Sequence, residues 1–484
     1  MNKKSSVPDL SRRRFIGSSC CAAVGATGLL SSLASLRLIG AAASPSNGPQ
    51  PAVTGGAIAP DFKALVCLFL QGGNDANNLI IPSDATSYAA YAAARSNLAL
   101  PQTGLLPIKS SDGRSWSLHA AVPELQSLYG AGKAALLANV GTLVYPTSKA
   151  QYTASSVPLP PQLFSHNDQQ VQWQNSVPDK PTTTGWGGRL ADLVNAFNSN
   201  NQISMSISLA GTNYFQVGST VSEYAVSTNG GVTFTGSTSS KTSNDGIRYQ
   251  AQKDLFTASQ PGLFDTAFAG ISGSALNDTD VLNAALATAP TLNTVFPTGL
   301  DGKTLTTAAS QLKMVARLIG ASSALGLKRQ VFFVQLGGWD THAAQLINAA
   351  PTTGTHALLL AQISQAVNAF YNATIELGVA NQVTTFTASD FGRTFRSNGD
   401  GSDHGWGNHQ LIVGGAVKGG DIFGKMPTLT IGGPDDTGLG RWIPTTSVDE
   451  YAATLATWFG VSATNLSTVL PNIGRFAHPS LGFV

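Results

Sequence analysis

The sequence predicts an α/β fold built on a mostly parallel sheet, and three observations carry that expectation. Short continuous apolar runs recur at residues 64–70, 134–140, 203–209, 331–336 and 383–388. Unbroken runs of this length are the pattern of strands buried on both faces. Helical patterns lie between them, as at residues 118–129 and 357–377, and strands alternating with helices argue parallel pairing. Glycine-rich polar segments follow three of the runs, where an open α/β sheet places its ligands.

The elements follow in order. Residues 1–43 are an address. Ser11-Arg12-Arg13-Arg14-Phe15-Ile16-Gly17 reads as a twin-arginine export signal, and Ala41-Ala42-Ala43 supplies the small residues a signal peptidase needs. The stretch between is interrupted by Ser, Gly and Arg37, so it falls short of the ~20-residue apolar run of a membrane span. The expected location is therefore the periplasm or medium, with the export machinery as partner and no stable membrane span after cleavage. Residues 44–60, rich in Pro, Ser and Gly, read as a linker, and 61–484 as one α/β domain. A Ser/Thr/Gly-rich segment near 211–246 reads as an inserted β meander or long loop. Residues 449–459 read as a late surface helix with Leu455, Trp458 and Phe459 on its apolar side.

Composition narrows the function. The 484 residues are 42% hydrophobic and only 11% charged, with 51 glycines and a net charge of +2. Residues 1–43 hold six Lys/Arg and one acid, so their removal leaves 22 basic against 25 acidic residues, a net charge of −3. A nucleic-acid partner is not expected. After cleavage Cys67 is the one cysteine left, so no internal disulfide forms, and its apolar neighbours suit a buried strand. No dinucleotide fingerprint, Cys-x-x-Cys or Gly-x-Ser-x-Gly elbow occurs. Residues 419–425 resemble a P-loop, but Met426-Pro427 stands where the Ser/Thr and helix start belong, so no nucleotide cofactor is expected.

The segments after the apolar runs carry the chemistry. Gly72-Gly73-Asn74-Asp75 follows the first, Gly337-Gly338-Trp339-Asp340-Thr341-His342 the fourth, and Ser389-Asp390-Phe391-Gly392-Arg393 the fifth. Asp403-His404 and His409 lie shortly after. Three of the chain's seven histidines fall in these segments. Aspartate with neutral imidazole is a donor set for zinc or manganese, and two ions about 3.5–4 Å apart would take roughly five to seven such side chains. The candidate ligands are Asp75, Asp340, His342, Asp390, Asp403, His404 and His409, for one or two divalent ions; Asp403 and His409 could instead orient the imidazoles. Any one of these aspartates alone would read as a turn or helix cap. His119, His356 and His478 read as structural. Ser165-His166 opens a polar stretch, where Ser165 is a helix cap or a nucleophile and His166 a ligand, a base or a structural histidine. Arg189 and Arg393 are candidates to grip an anionic oxygen, or to form salt bridges.

These pieces resemble the secreted bacterial family known as domain of unknown function 1501. The resemblance rests on the twin-arginine leader, Gln71-Gly72-Gly73-Asn74-Asp75-Ala76-Asn77-Asn78, Phe164-Ser165-His166, Gly185-Trp186-Gly187-Gly188-Arg189, Gly338-Trp339-Asp340-Thr341-His342, Ser389-Asp390-Phe391-Gly392-Arg393-Thr394, Asp403-His404-Gly405 and Gly414-Gly415-Ala416-Val417-Lys418-Gly419-Gly420, in that order over about residues 62–430. The family is grouped with the alkaline-phosphatase-like superfamily, beside sulfatases. The resemblance implies a doubly wound sheet with helices on both faces and a metal site at the strand ends. It also implies hydrolysis of a small anionic phosphate or sulfate ester, with Ser165 or a metal-bound water as nucleophile. Asp75 resembles the first metal Asp, and Asp340 and His342 the Asp and His of one metal site. These two stand two apart where phosphatases have four, and Phe391 replaces the His of an Asp-His pair. A non-catalytic binding or assembly protein on the same fold is the alternative.

Overall fold

The computed structural model describes residues 56–199, 203–231, 242–258, 262–346 and 350–484. The expected export signal and most of the expected linker lie outside them. The backbone divides into two compact units. The larger comprises Pro51–Val232 and Thr279–Val484 and contains every candidate residue; the described residues of the smaller lie within Thr233–Asp278. In that smaller unit a helix, Asn244–Thr257, starts at Ser243, whose hydroxyl accepts the Gly246 N–H.

The larger unit is built on a nine-stranded sheet. Its strands are β1 (Lys63–Leu70), β2 (Ala134–Gly141), β3 (Ser206–Ser208), β4 (Tyr224–Ala225), β5 (Arg329–Leu336), β6 (Val383–Ser389), β7 (Asn408–Gly414), β8 (Ile422–Phe423) and β9 (Thr446–Ser447). They lie in the order β8-β2-β7-β6-β1-β5-β3-β4, with β9 beside β2. β1 pairs in parallel with β5 and β6, and only β7 runs antiparallel to its neighbours. All five apolar runs became strands of this sheet. The strand at 408–414 was not expected, because its apolar core is only Leu411-Ile412-Val413.

Helices cover both faces. On one, Pro123–Gly130, Thr307–Gly320 and Thr355–Glu376 pack together, and on the other, His166–Asn175, Trp186–Val194 and Val448–Phe459 pack on β6, β5 and β1 respectively. The helix expected from residue 118 starts at Pro123, with Trp116–Leu118 forming a strand of a separate small sheet. Between sheet and helices, Trp186 meets Phe215 edge-on at 4.7 Å between ring centres, and Phe215 meets Phe333 and Phe386. Cys67 is buried there, as its neighbours suggested. Within 211–246 the described strand content is β4 and a bridge between Ser227 and Gly230. The helix at 448–459 is not a surface helix: ten of its twelve residues are buried. Its acidic start is a capping box, in which Ser447 Oγ accepts the Glu450 N–H and the Glu450 carboxylate accepts the Ser447 N–H.

The register sets the stage for the site. Leu70 at the end of β1 pairs with Leu336 of β5 and Ser389 of β6, so three adjacent strands end level. The loops they release carry Gly72-Gly73, Asp340-His342 and Asp390.

Three histidines are structural in this fold. His119, His356 and His409 are buried, and burial lowers their pKa values to about 4, about 3 and about 4. Neutral in the fold, they contribute stability that is present above the ordinary histidine pKa and is lost as pH falls from about 6.5 toward 4. Asp449 and Glu223, raised by burial to about 7, act in the opposite sense over the same range. Imidazole 15N shifts are therefore the clean readout. The His356 and His409 rings stay neutral from pH 8 to pH 5; titration near 6.5 would contradict their burial.

Candidate metal centre

Each loop delivers one or two side chains. The loop after β5 carries Asp340 and His342. His166 is the first residue of the helix His166–Asn175, with Ser165 as its N-cap. His404 ends the second strand of a hairpin, Arg393–Ser397 with Ser402–His404. Gly72, at φ 118°, is required for this convergence: a Cβ there would run into the backbone nitrogen of Asp340. Gly401 permits a second close approach, of the hairpin turn to the Thr341 and His342 carbonyls.

His166, Asp340, His342 and His404 bring one ligand atom each within 4.8 Å of one another. The Asp340 Oδ1 lies 3.6, 3.4 and 3.8 Å from the Nε2 atoms of His166, His342 and His404, and the Nε2 atoms of His342 and His404 lie 2.6 Å apart. What lies behind each ring fixes its proton. His166 Nδ1 meets the Asp390 carboxylate at 2.7 Å, His342 Nδ1 meets Asp403 Oδ1 at 3.0 Å, and His404 Nδ1 meets the Phe164 carbonyl at 2.6 Å. Carboxylates and carbonyls only accept, so each Nδ1 carries the proton and each Nε2 presents a lone pair.

Three lone pairs thus point into one space beside a carboxylate. Separations of 3.6 and 3.8 Å are too long for hydrogen bonds, and the His166 Nε2 is buried with no hydrogen-bond partner. A divalent cation satisfies all of them. Tetrahedral ligands at about 2.0–2.1 Å from zinc stand about 3.3 Å apart, and the separations here bracket that value. Asp340 is half exposed, with His166 and His404 more buried, so the centre opens to solvent on one side.

Electrostatics support an ionised Asp340. Burial pushes its carboxyl up, but the Arg393 hydrogen bond and charge bring it below the ordinary range. Asp403 is likewise lowered: burial opposes, while bonds from Asn398 and His342 and the charge of Arg441 prevail. His404 is lowered to about 4, by burial first, against the Phe164 bond and with the Arg393 charge adding to it.

The other expected ligands are elsewhere. Asp75 is not at the cluster: it is fully buried in an ion pair with Arg95 and accepts Gln345 Nε2 at 2.6 Å. Arg95 also donates to the Thr394 and Phe395 carbonyls, so this pair ties the β1 loop to the hairpin. His409 is not at the cluster either; on β7 its Nδ1 accepts the Asn139 N–H, deep in the sheet. Asp390 and Asp403 do not join the four ligand atoms but hold His166 and His342 from behind. Asp390 accepts, besides, the Gly72 N–H at 3.0 Å and Gln170 at 2.8 Å.

Arg393 is not available to an anion. It is buried and donates to the carbonyls of Gly72, Gly73 and Ser402 and to Asp340. Arg189 is spent similarly, on the carbonyls of Val469, Thr184 and Asn175. Ser165 Oγ donates to Asp168 Oδ2 at 2.6 Å. Before it, Gln162 and Phe164 take φ values of 52° and 73°, a conformation that non-glycine residues rarely adopt and that is met at functional sites. Sequence reasoning missed Arg95, Gln345, Asn398 and Arg441, which have no local motif and act across long separations.

Residues 62–437 match the family described as protein of unknown function (DUF1501). No curated protein matches the chain. Among solved structures, the chain is similar to Ps i-CgsB in complex with k-i-k-neocarrahexaose, at 11% identity and a TM-score of 0.35, covering 86% of this chain and 77% of that one. It is similar to a protein in the alkaline phosphatase superfamily from Vibrio parahaemolyticus, at 10% and 0.34, covering 90% and 76%. A third likeness is to the lipoteichoic acid synthase LtaP from Listeria monocytogenes, at 8% and 0.34, covering 90% and 81%. The fold itself is read from the order and direction of the strands. Among the described residues no helix is long and apolar enough to cross a membrane.

The orienting carboxylates can be tested apart from the ligands. Asp390→Asn and Asp403→Asn each lower zinc affinity by about 10- to 100-fold with the fold retained, measured by competition with a chromogenic chelator. Unchanged affinity in both variants would show that the rings need no such support.

Proposed function

The chain belongs to the family of proteins of unknown function DUF1501, and from that premise we propose that it is an exported, metal-dependent hydrolase of phosphate or sulfate esters. The observation that carries the reading is the convergence of three Nε2 atoms, on His166, His342 and His404, upon the half-exposed carboxylate of Asp340. Three imidazoles and one carboxylate favour zinc over manganese and provide for one ion; no second such group converges among the described residues. A bound divalent ion supplies Lewis-acid polarisation of an ester oxygen and a lowered pKa for a nearby hydroxyl or water.

The chain's own residues do the rest. Asp390, Asp403 and the Phe164 carbonyl hold the rings, and Arg393 fixes Asp340 in its ionised form. Ser165, adjacent to His166, is the candidate nucleophile, and Asp168 at 2.6 Å is placed to take its proton; water is the alternative nucleophile. Export rests on the arginine-rich leader at residues 11–17. One observation favours the reading as a binding or assembly protein with a structural metal: Arg189 and Arg393, the arginines expected to grip an anion, give their donors to the protein.

Elemental analysis of protein purified without chelators or affinity metals, beside a screen of aryl phosphates and aryl sulfates, separates the readings. The expected result is about one equivalent of zinc and ester turnover in the wild type, both lost in Asp340→Ala and His342→Ala. Stoichiometric metal without turnover favours the binding protein, and a folded, metal-free wild type overturns the metal centre.

A further inference from the structure

We propose that Arg441 is the residue that grips the oxyanion of the ligand at this centre, an inference that rests on the hydrolase reading above. Asp436 is buried, and its carboxylate accepts the N–H groups of Gly432, Gly438, Gly440 and Arg441 at 2.7, 2.7, 2.8 and 3.1 Å. Four charge-assisted bonds to one buried carboxylate fix this loop and present Arg441 in a set position.

The Arg441 side chain then runs to two segments that carry the candidate centre. Its Nε donates to the carbonyl of His404 at 2.8 Å, and its guanidinium carbon lies 4.9 Å from the centre of the Phe164 ring. Phe164 is the residue whose carbonyl orients His404 and whose chain leads directly into Ser165 and His166. Arg441 therefore stands on the two segments that carry two of the three imidazoles and the candidate nucleophile.

Its donors are the decisive point. A guanidinium has five N–H groups. Arg441 spends the one on Nε, while its two Nη groups have no hydrogen-bond partner among the described residues, and the side chain is half-buried. Arg95, Arg189 and Arg393, by contrast, give their Nη groups to the protein. The flat Nη edge matches two oxygens of a tetrahedral phosphate or sulfate. Stacking on Phe164 and the Nε bond hold that edge in place before the anion arrives, which reduces the ordering cost of binding. The same edge accounts for recognition of an anionic rather than a neutral ester.

The test is calorimetric titration of inorganic phosphate and sulfate into zinc-loaded wild type, Arg441→Lys and Arg441→Met, with zinc content measured on each sample. Phosphate binding weakens about 10- to 100-fold in Arg441→Met. Arg441→Lys, which keeps the charge but not the fork, falls between, and zinc content is unchanged in both. With an ester substrate, KM rises more than kcat falls. Phosphate bound equally by wild type and Arg441→Met overturns the proposal, as does zinc loss in both variants, which would make Arg441 a support for His404. A wild type that binds neither anion overturns it too. Loss of phosphate binding in the variants with no ester turnover in the wild type would keep Arg441 as the anion grip and reject hydrolysis. Turnover with phosphate inhibition unchanged in both variants would do the reverse.

Discussion

Three imidazole rings turn their Nε2 atoms toward one carboxylate, and buried polar groups from distant loops hold them there. A neutral imidazole has one donor and one acceptor nitrogen, and a partner on one side decides what the other side offers. Here Asp390, Asp403 and the Phe164 carbonyl stand on the Nδ1 side of His166, His342 and His404. The Nε2 atoms turn toward Asp340 and one another, and the His166 Nε2 has no hydrogen-bond partner at all. Such an arrangement of lone pairs around a carboxylate is electrostatically unfavourable unless a cation lies among them, which is why the geometry argues for a metal more strongly than the number of candidate ligands does.

The protein sustains that arrangement with buried charge. Arg393 joins the Asp340 carboxylate to the Gly72 and Gly73 carbonyls, and the Arg95–Asp75 pair joins the β1 loop to the hairpin that carries His404. Buried ion pairs contribute little net stability, because desolvation offsets their attraction. Their effect here is positional: each holds loops from distant parts of the chain at fixed separations. The glycines at 72 and 401 let those loops approach to backbone contact. Rigid support of this kind is what keeps ligand atoms arranged before the ion binds.

Much of this was legible in the sequence. Continuous apolar runs marked the strands because a strand covered on both faces needs apolar side chains on both. Asp and His flanked by glycine marked the site because strand ends in such sheets release the loops that bind. The division of labour among the aspartates was not legible. Asp75 and Asp390 both follow a strand in a polar, glycine-containing segment, yet one meets Arg95 and the other His166, partners brought by the fold from 20 and 224 residues away. His409 looked like its neighbours His342 and His404 until β7 entered the sheet antiparallel and carried it inside. The helix at 448–459 read as amphipathic, but segments on its polar side bury that face as well. Arg441 has no motif at all; only the Asp436-bound loop brings it to Phe164.

The proposed centre holds one ion between three imidazole nitrogens and one carboxylate oxygen, and X-ray absorption at the zinc edge reads both the ligand set and the number of ions. For the zinc-loaded full chain the expected spectrum has four to five nitrogen or oxygen scatterers at about 2.0–2.1 Å, with the outer-shell pattern of about three imidazole rings and no metal–metal distance. A spectrum without imidazole scattering, or one showing a second metal at about 3.5–4 Å, would contradict it.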